Sequence, residues 1–306
     1  MVEAGAPRVR VNPAVPQRGL AVLRDAGLAV EVGGLDLAGE VALLCMLTDR
    51  IDRELLAAAG GLRIVANMAV GTDNIDLEAA AEFGIAVSNT PDVLTDATAD
   101  LAMALLLAAA RQLVWADRYV RAGAFGGWRP ELGVGLDLAG RTLGIVGSGR
   151  IGRAVARRAR GFSMNLLLHS RGGGPSLDEL LERSDFVSLH VPLTPETRHL
   201  IGARELGLMR PHAVLINTAR GPIIDERALV VALRSGQIRA AGLDVFEHEP
   251  ALAAGLAELS NVVLCPHLGS ATLATRDRMA EIAAQNIVAC LSDAPLPTQV
   301  LAGSRR

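Results

Sequence analysis

Short apolar runs of four or five residues alternate along this 306-residue chain with longer stretches in which apolar residues return every three or four positions. The runs read as strands buried on both faces. The longer stretches read as amphipathic helices that cover them, which is the pattern of a parallel sheet with helices on either side. Strands are predicted at 8–11, 41–46 and 62–66, and helices at 17–26, 52–59 and 77–83. A long helix is predicted over 96–121, followed by a loop over 123–138. Further strands are expected at 142–146, 166–168, 185–189, 214–217, 240–244 and 262–264. Helices separate most of them, the clearest being 226–234 behind Asp225 as its N-cap. A last helix spans 272–291. The chain is long enough for two domains. The alternation predicts an α/β fold of two doubly wound parallel-sheet domains, residues 96–276 being inserted into a domain made from 1–95 and 277–306.

The run Thr142-Leu-Gly-Ile-Val-Gly147-Ser-Gly149-Arg-Ile-Gly152 carries the most chemistry. It places glycines at the first, third and sixth positions of a turn between a strand and a helix. The three play separate parts. Gly147 makes the tight turn, Gly149 admits a pyrophosphate to the backbone, and Gly152 lets helix and strand pack closely. The free N–H groups and the dipole at the helix start, with Arg150 and Ile151 in its first turn, then hold phosphates. A dinucleotide site follows.

Composition narrows the remaining classes. The formal charge is −3, which gives no general attraction to nucleic acid or an anionic membrane. All 30 basic residues are arginine, so Schiff-base chemistry on lysine and the lysine-bearing phosphate loop are both excluded. Cys45, Cys265 and Cys290 lie far apart, with neither pairing nor metal-ligand spacing, so no metal site is expected and a reducing cytoplasm is. The most apolar run, 101–110, is too short to span a bilayer.

About 20 residues past the glycine turn, a dinucleotide domain that selects NAD carries an acidic residue for the ribose hydroxyls. Here the chain reads His169-Ser170-Arg171. Serine and arginine suit a 2′-phosphate, so NADPH is expected in preference to NADH, which the same site can still take. Three polar segments then follow predicted strands: Asn217-Thr-Ala-Arg220, Asp244-Val-Phe-Glu-His-Glu249 and Cys265-Pro-His267. Strand carboxyl ends form the ligand crevice of such sheets. An Arg, a Glu and a His arriving there suit hydride transfer to a 2-oxo acid: arginine grips and polarises, histidine gives a proton, and glutamate orients the imidazole. On position alone Glu247 competes with Glu249 for that last role.

The chain resembles the D-isomer specific 2-hydroxyacid dehydrogenases, nearest their glyoxylate/hydroxypyruvate reductase branch. Carriers of the resemblance are Asn67-Met-Ala-Val70-Gly71-Thr-Asp-Asn-Ile-Asp76, Leu94-Thr-Asp-Ala-Thr98-Ala-Asp-Leu101, the glycine motif, His190-Val-Pro-Leu-Thr-Pro-Glu-Thr197, Asn217-Thr-Ala-Arg-Gly221, Gly242-Leu-Asp-Val-Phe246 and Pro266-His-Leu-Gly-Ser270. It implies a Rossmann nucleotide domain inserted into a flavodoxin-like substrate domain, and reduction of a small 2-oxo acid to the D-2-hydroxy acid. By the same resemblance Arg220 binds and polarises substrate, His267 is the general acid/base, Glu249 is its partner, and the Val70 and Gly71 backbone takes the substrate carboxylate. Asp244 and Thr218 would meet the cofactor's nicotinamide carboxamide, Val191 and Pro192 would line its adenosine side, and Thr98, Thr197, His267 and Gly269 would also bind the cofactor. A homodimer formed through 96–140, including Trp128, is also implied.

Two features depart from the family. Gly172-Gly-Gly-Pro175 runs at once into Ser176-Leu-Asp-Glu-Leu-Leu, where relatives place a further helix and strand, and Ser148 stands where relatives carry Leu or Met. Phosphoglycerate or lactate specificity, and the nucleotide-sensing scaffold role of co-repressor relatives, are the alternatives.

Overall fold

The computed structural model describes residues 5–301. In chain order the elements are β1 (Arg8–Val11), α1 (Gln17–Asp25), β2 (Ala29–Val32), β3 (Ala42–Cys45), α2 (Arg53–Ala58), β4 (Ile64–Asn67), α3 (Leu77–Glu82) and β5 (Ala86–Ser88). Next come α4 (Thr95–Ala110), α5 (Leu113–Arg121), β6 (Thr142–Val146), α6 (Arg150–Gly161), β7 (Asn165–His169), α7 (Leu177–Arg183) and β8 (Phe186–Leu189). The last are α8 (Ala203–Leu208), β9 (Val214–Asn217), α9 (Glu226–Ser235), β10 (Ala240–Leu243), β11 (Val262–Leu264), α10 (Leu273–Leu291) and β12 (Gln299–Val300). They gather into two compact units, Met1–Leu94 with Ala271–Arg306, and Thr95–Ser270.

The first unit holds a six-stranded sheet in the order β12-β5-β4-β3-β1-β2, parallel except where β12 meets β5. Its parallel part has the flavodoxin-like order. Strand residues divide between two cores by the two-residue period of a strand. Ala42 and Leu44 pack with α1 and α10, while Leu43 and Cys45 pack with α2 and α3. The second unit holds an all-parallel sheet in the order β11-β10-β9-β8-β6-β7. Leu143 and Ile145 of β6 pack with α4 and α6, whereas Val146 and Val187 join the core under α7, α8 and α9. Both sheets are buried on both faces, which explains why their strands read as unbroken apolar runs rather than alternating ones.

The long helix expected over 96–121 is two helices bent by 62°. Gln112 sits in the left-handed region at φ 53°. The cause lies over 20 residues on: Leu136 N–H donates to Ala110 O at 2.9 Å, and Gln112 Nε2 donates to Val134 O at 2.9 Å. A returning loop thus takes the Ala110 carbonyl that a continuous helix would use, and holds the Gln112 side chain beside it. The sequence pattern does not signal β2, β5 or β12; they are short, and β2 is a half-exposed edge. Among the described residues no single helix is long and apolar enough to cross a membrane.

The second sheet ends at the strand that leads to Arg171. β7 is the free edge of its sheet, partly exposed along its length, whereas β8, β9 and β10 are fully buried. A six-stranded dinucleotide sheet in the usual 3-2-1-4-5-6 order would carry a further strand beyond that edge.

Candidate active site

The glycine turn opens at the point where the strand order of the second sheet reverses, between β7 and β8 on either side of β6. Gly147 has φ 104°, and a Cβ there would stand 2.4 Å from the His190 carbonyl oxygen. A Cβ on Gly152 would stand 2.0 Å from Gly147 O. Around Gly149, by contrast, there is open space. Two glycines therefore let backbone meet backbone, and the third leaves the helix start uncovered, as a phosphate cradle requires. Arg150 begins α6 and Ile151 packs inward on its core. Arg153, which sequence reasoning passes over, donates from Nη1 to Ser148 O at 2.6 Å and so ties the helix back over the turn.

Around this cradle, Val191 lies against Gly147, and Thr197 accepts from Thr194 N–H and donates to Pro192 O at 2.7 Å. These contacts fold the 191–197 loop on itself. Ser170 donates from its hydroxyl to Gly173 O at 3.2 Å, closing a tight turn at the end of β7 with Arg171 exposed beside it. His190, at the end of β8, accepts or donates through Nε2 with Ser188 Oγ at 2.9 Å. Burial pushes its pKa down to about 4, so the ring is neutral near pH 7. In the unfolded chain the same ring takes a proton near its ordinary value. His190 therefore contributes stability that is fully present above about pH 6.5 and is lost as pH falls towards about 4. Urea midpoints measured from pH 7 to pH 4 should fall more steeply in the wild type than in His190→Gln, and parallel curves would disprove this.

Three loops leave the carboxyl edge of neighbouring strands. Asn217 is paired with Leu243, and Leu243 with Leu264, so β9, β10 and β11 end side by side. The buried Asn217 side chain accepts from Ala219 N–H and donates to Arg220 O at 2.8 Å, clipping the turn that carries Arg220. A Cβ on Gly221 would lie 1.8 Å from the Phe246 carbonyl carbon. Only glycine lets the arginine loop press against the loop that carries the carboxylate. The second loop is held by the buried Glu226, which accepts from Glu247 N–H at 2.6 Å and Ala253 N–H at 3.3 Å.

Glu249, not Glu247, reaches the histidine. Its Oε1 accepts from Phe246 N–H at 3.0 Å and its Oε2 lies 3.0 Å from His267 Nδ1. Glu247 is taken by His199 at 2.6 Å and Arg198 at 3.3 Å. Since a carboxylate only accepts, Nδ1 of His267 carries the hydrogen and Nε2 is left for other work. Burial raises the Glu249 carboxyl, but the His267 hydrogen bond and charge, the Phe246 amide and the Arg220 charge together hold it below its ordinary range. Arg220, Glu249 and His267 are thus electrostatic neighbours.

His267 itself has φ 55°, a costly region for a side chain of this kind. Asp244 supports it: the Asp244 carbonyl accepts from His267 N–H at 2.9 Å, and its fully buried carboxylate accepts from Leu268 and Gly269 N–H at 2.6 and 2.8 Å. Burial raises the Asp244 carboxyl against those two amides and the nearby imidazole. Thr98 donates to Gly269 O at 3.1 Å. Asp244, Thr98 and Gly269 therefore form one support under the histidine loop. Thr218 is different: its hydroxyl is buried without a partner among the described residues, as suits a group that receives a polar atom of a bound cofactor. Together with the open helix start, this fits a dinucleotide.

In the first unit, Val70 and Gly71 follow β4, with Val70 O held by Asn89 Nδ2 at 2.8 Å and Gly71 O by Asn67 Nδ2 at 2.9 Å. Met68 is buried in the sheet core, and Trp128 is 81% exposed.

Residues 103–269 match the family model of the D-isomer specific 2-hydroxyacid dehydrogenase, NAD binding domain. A glyoxylate reductase from Thermococcus onnurineus is 48% identical over 96% of each chain. Among solved structures, a protein from Thermus thermophilus superposes with a TM-score of 0.92 at 48% identity, covering 96% of this chain and all of that one. An NADPH-dependent glyoxylate/hydroxypyruvate reductase from Sinorhizobium meliloti, in complex with NADP and malonate, gives a TM-score of 0.88 at 36% identity over 97% of each. With its parallel dinucleotide sheet and its Arg-Glu-His cluster, the chain belongs to the D-isomer specific 2-hydroxyacid dehydrogenase family.

Proposed function

We propose that this chain reduces a small 2-oxo acid of the glyoxylate or hydroxypyruvate type to its D-2-hydroxy acid, with NADPH as the preferred cofactor. The observation that carries the reading is the His267–Glu249 pair under the influence of Arg220, in a chain nearly half identical to a glyoxylate reductase. When bound, the reduced nicotinamide supplies the hydride. Arg220 grips the substrate and draws electron density onto its carbonyl oxygen. His267 gives its Nε2 proton to the same oxygen as the alkoxide forms, and Glu249 stabilises the imidazolium before the proton is given up. The Val70 and Gly71 amides take the carboxylate. Gly147, Gly149, Gly152, Arg150 and Ile151 hold the pyrophosphate, Thr218 a polar group near the nicotinamide, and Val191 and Pro192 the adenosine side, in the loop that Thr197 folds.

Absorbance at 340 nm with NADPH and a panel of 2-oxo acids tests this directly. Turnover of glyoxylate or hydroxypyruvate is expected. Cofactor binding without turnover of any panel member would overturn it in favour of the scaffold reading, which the uncovered β7 edge supports.

The NADPH preference rests on Ser170 and Arg171. Arg171→Ala should lower the ratio of kcat/KM for NADPH over NADH by roughly 10- to 100-fold, the worth of one charged hydrogen bond. A wild-type ratio below one would refute the assignment. Leu113, Val120, Phe125, Trp128 and Val134 leave apolar surface exposed between residues 113 and 134. We assign that surface to a homodimer, and a monomeric mass in light scattering would disprove it. Three free cysteines suit a cytoplasmic enzyme, a placement that fluorescent tagging would test.

A further inference from the structure

Three successive peptide groups after β4 are held by their carbonyls, the first two from the Asn89–Thr90 side and the third from β4 itself. Thr90 N–H donates to Ala69 O at 2.8 Å, Asn89 Nδ2 to Val70 O at 2.8 Å, and Asn67 Nδ2 to Gly71 O at 2.9 Å. A trans peptide points its N–H opposite to its C=O. Fixing the Ala69 carbonyl therefore aims the Val70 N–H, and fixing the Val70 carbonyl aims the Gly71 N–H, both away from the Asn89–Thr90 side. Neither of those two amides has an acceptor among the described residues.

Asn89 is itself braced from the far end of the chain. Its carbonyl accepts from Thr298 Oγ1 at 2.6 Å, and its N–H donates to Thr298 O at 3.3 Å. Thr298 in turn accepts from Asn286 Nδ2 at 2.8 Å and donates its N–H to Asn286 Oδ1 at 3.0 Å. Asn286 is fully buried in α10, and its Nδ2 also donates to Ile282 O at 2.8 Å. On the other flank Asn67 donates to Asn74 Oδ1 at 3.0 Å, and Asn74 donates to the carbonyls of Met46 and Asp49 at 3.2 and 3.0 Å. A buried amide in this position is costly unless every bond is made, so the network has one arrangement.

We propose that Asn89, braced by Thr298 and Asn286, is a positioning residue that aims the Val70 and Gly71 amides at the substrate carboxylate. It rests on the reading that those amides bind that carboxylate. The C-terminal segment thus acts on substrate affinity through a chain of three side chains, without touching substrate itself.

The test uses the full chain with NADPH, measuring glyoxylate kinetics, oxamate inhibition, NADPH affinity and thermal midpoint in Asn89→Ala, Thr298→Val, Thr298→Ser and Gly71→Pro. Asn89→Ala and Thr298→Val should raise KM for glyoxylate and Ki for oxamate by about five- to tenfold, the worth of one hydrogen bond. The turnover number and NADPH affinity should hardly move, and Thr298→Ser, which keeps the hydroxyl, should restore wild-type KM. A lower thermal midpoint with unchanged KM and Ki in both variants would reduce Asn89 and Thr298 to structural parts and overturn the proposal. Gly71→Pro deletes one amide N–H outright. A raised oxamate Ki there, with no effect in the other two, sinks the brace alone, whereas an unchanged Ki there sinks the carboxylate reading.

Discussion

Alanine in place of His267 should cost roughly 10²–10⁴-fold in turnover, the range for a positioned acid/base. NADPH affinity should stay close to wild type, because the phosphate cradle is built on β6 and α6. Glu249 and the Asp244 support fix the ring with Nδ1 turned inward at 3.0 Å, so Nε2 is the atom left to donate. Without it the alkoxide must find its proton in water. Glu249→Gln should lose less, since an amide still accepts a hydrogen bond yet cannot stabilise the imidazolium by charge. The double variant should be little worse than His267→Ala alone, as expected of residues that act as one unit. Near-full turnover in His267→Ala, measured under saturating NADPH and glyoxylate, would remove the histidine from the mechanism.

The elements that form the second sheet are legible because each is an apolar run stopped by a residue that cannot continue it. Val214–Asn217 and Val262–Leu264 agree with expectation to the residue, the first ending at Asn217, whose side chain turns to clip its own loop. The helix break at Arg111–Gln112 is not legible. Both residues tolerate a helix, and the break depends on a distant loop, through Leu136, taking Ala110 O. β2 escapes for another reason: Ala-Val-Glu-Val is too brief and too half-exposed to stand out from a loop. In the site, sequence leaves Glu247 and Glu249 as rivals two residues apart. Their separation is tertiary, since His199 and Arg198 occupy one and His267 the other. Supports that carry no chemistry of their own, such as Glu226, Arg153 and Asn89, leave no pattern in a single chain, because each acts on a backbone group that any residue could supply.

Arg220→Ala should lower turnover by on the order of 10²–10³-fold, as removal of a group stabilising developing oxyanion charge does, and should raise KM for the 2-oxo acid as well. Both parameters should move, because in the proposed role the guanidinium would bind substrate in the ground state and polarise the carbonyl more strongly as charge builds on its oxygen. Arg220→Lys keeps the charge without the two-point fork and should recover only part of the loss. A second consequence is separable from the first. The Arg220 charge is one of the forces that hold the Glu249 carboxyl below its ordinary range against the opposing effect of burial. Removing it lets that carboxyl rise, so Glu249 takes a proton at a higher pH and the pairing with His267 is lost earlier on acidification. The acid limb of kcat/KM should therefore move to higher pH in Arg220→Ala, while Arg220→Lys, still cationic, should leave it closer to the wild-type position. An unchanged specificity constant would refute the substrate role. A large loss with an unmoved acid limb would instead place the guanidinium on substrate but out of electrostatic reach of the acid/base pair.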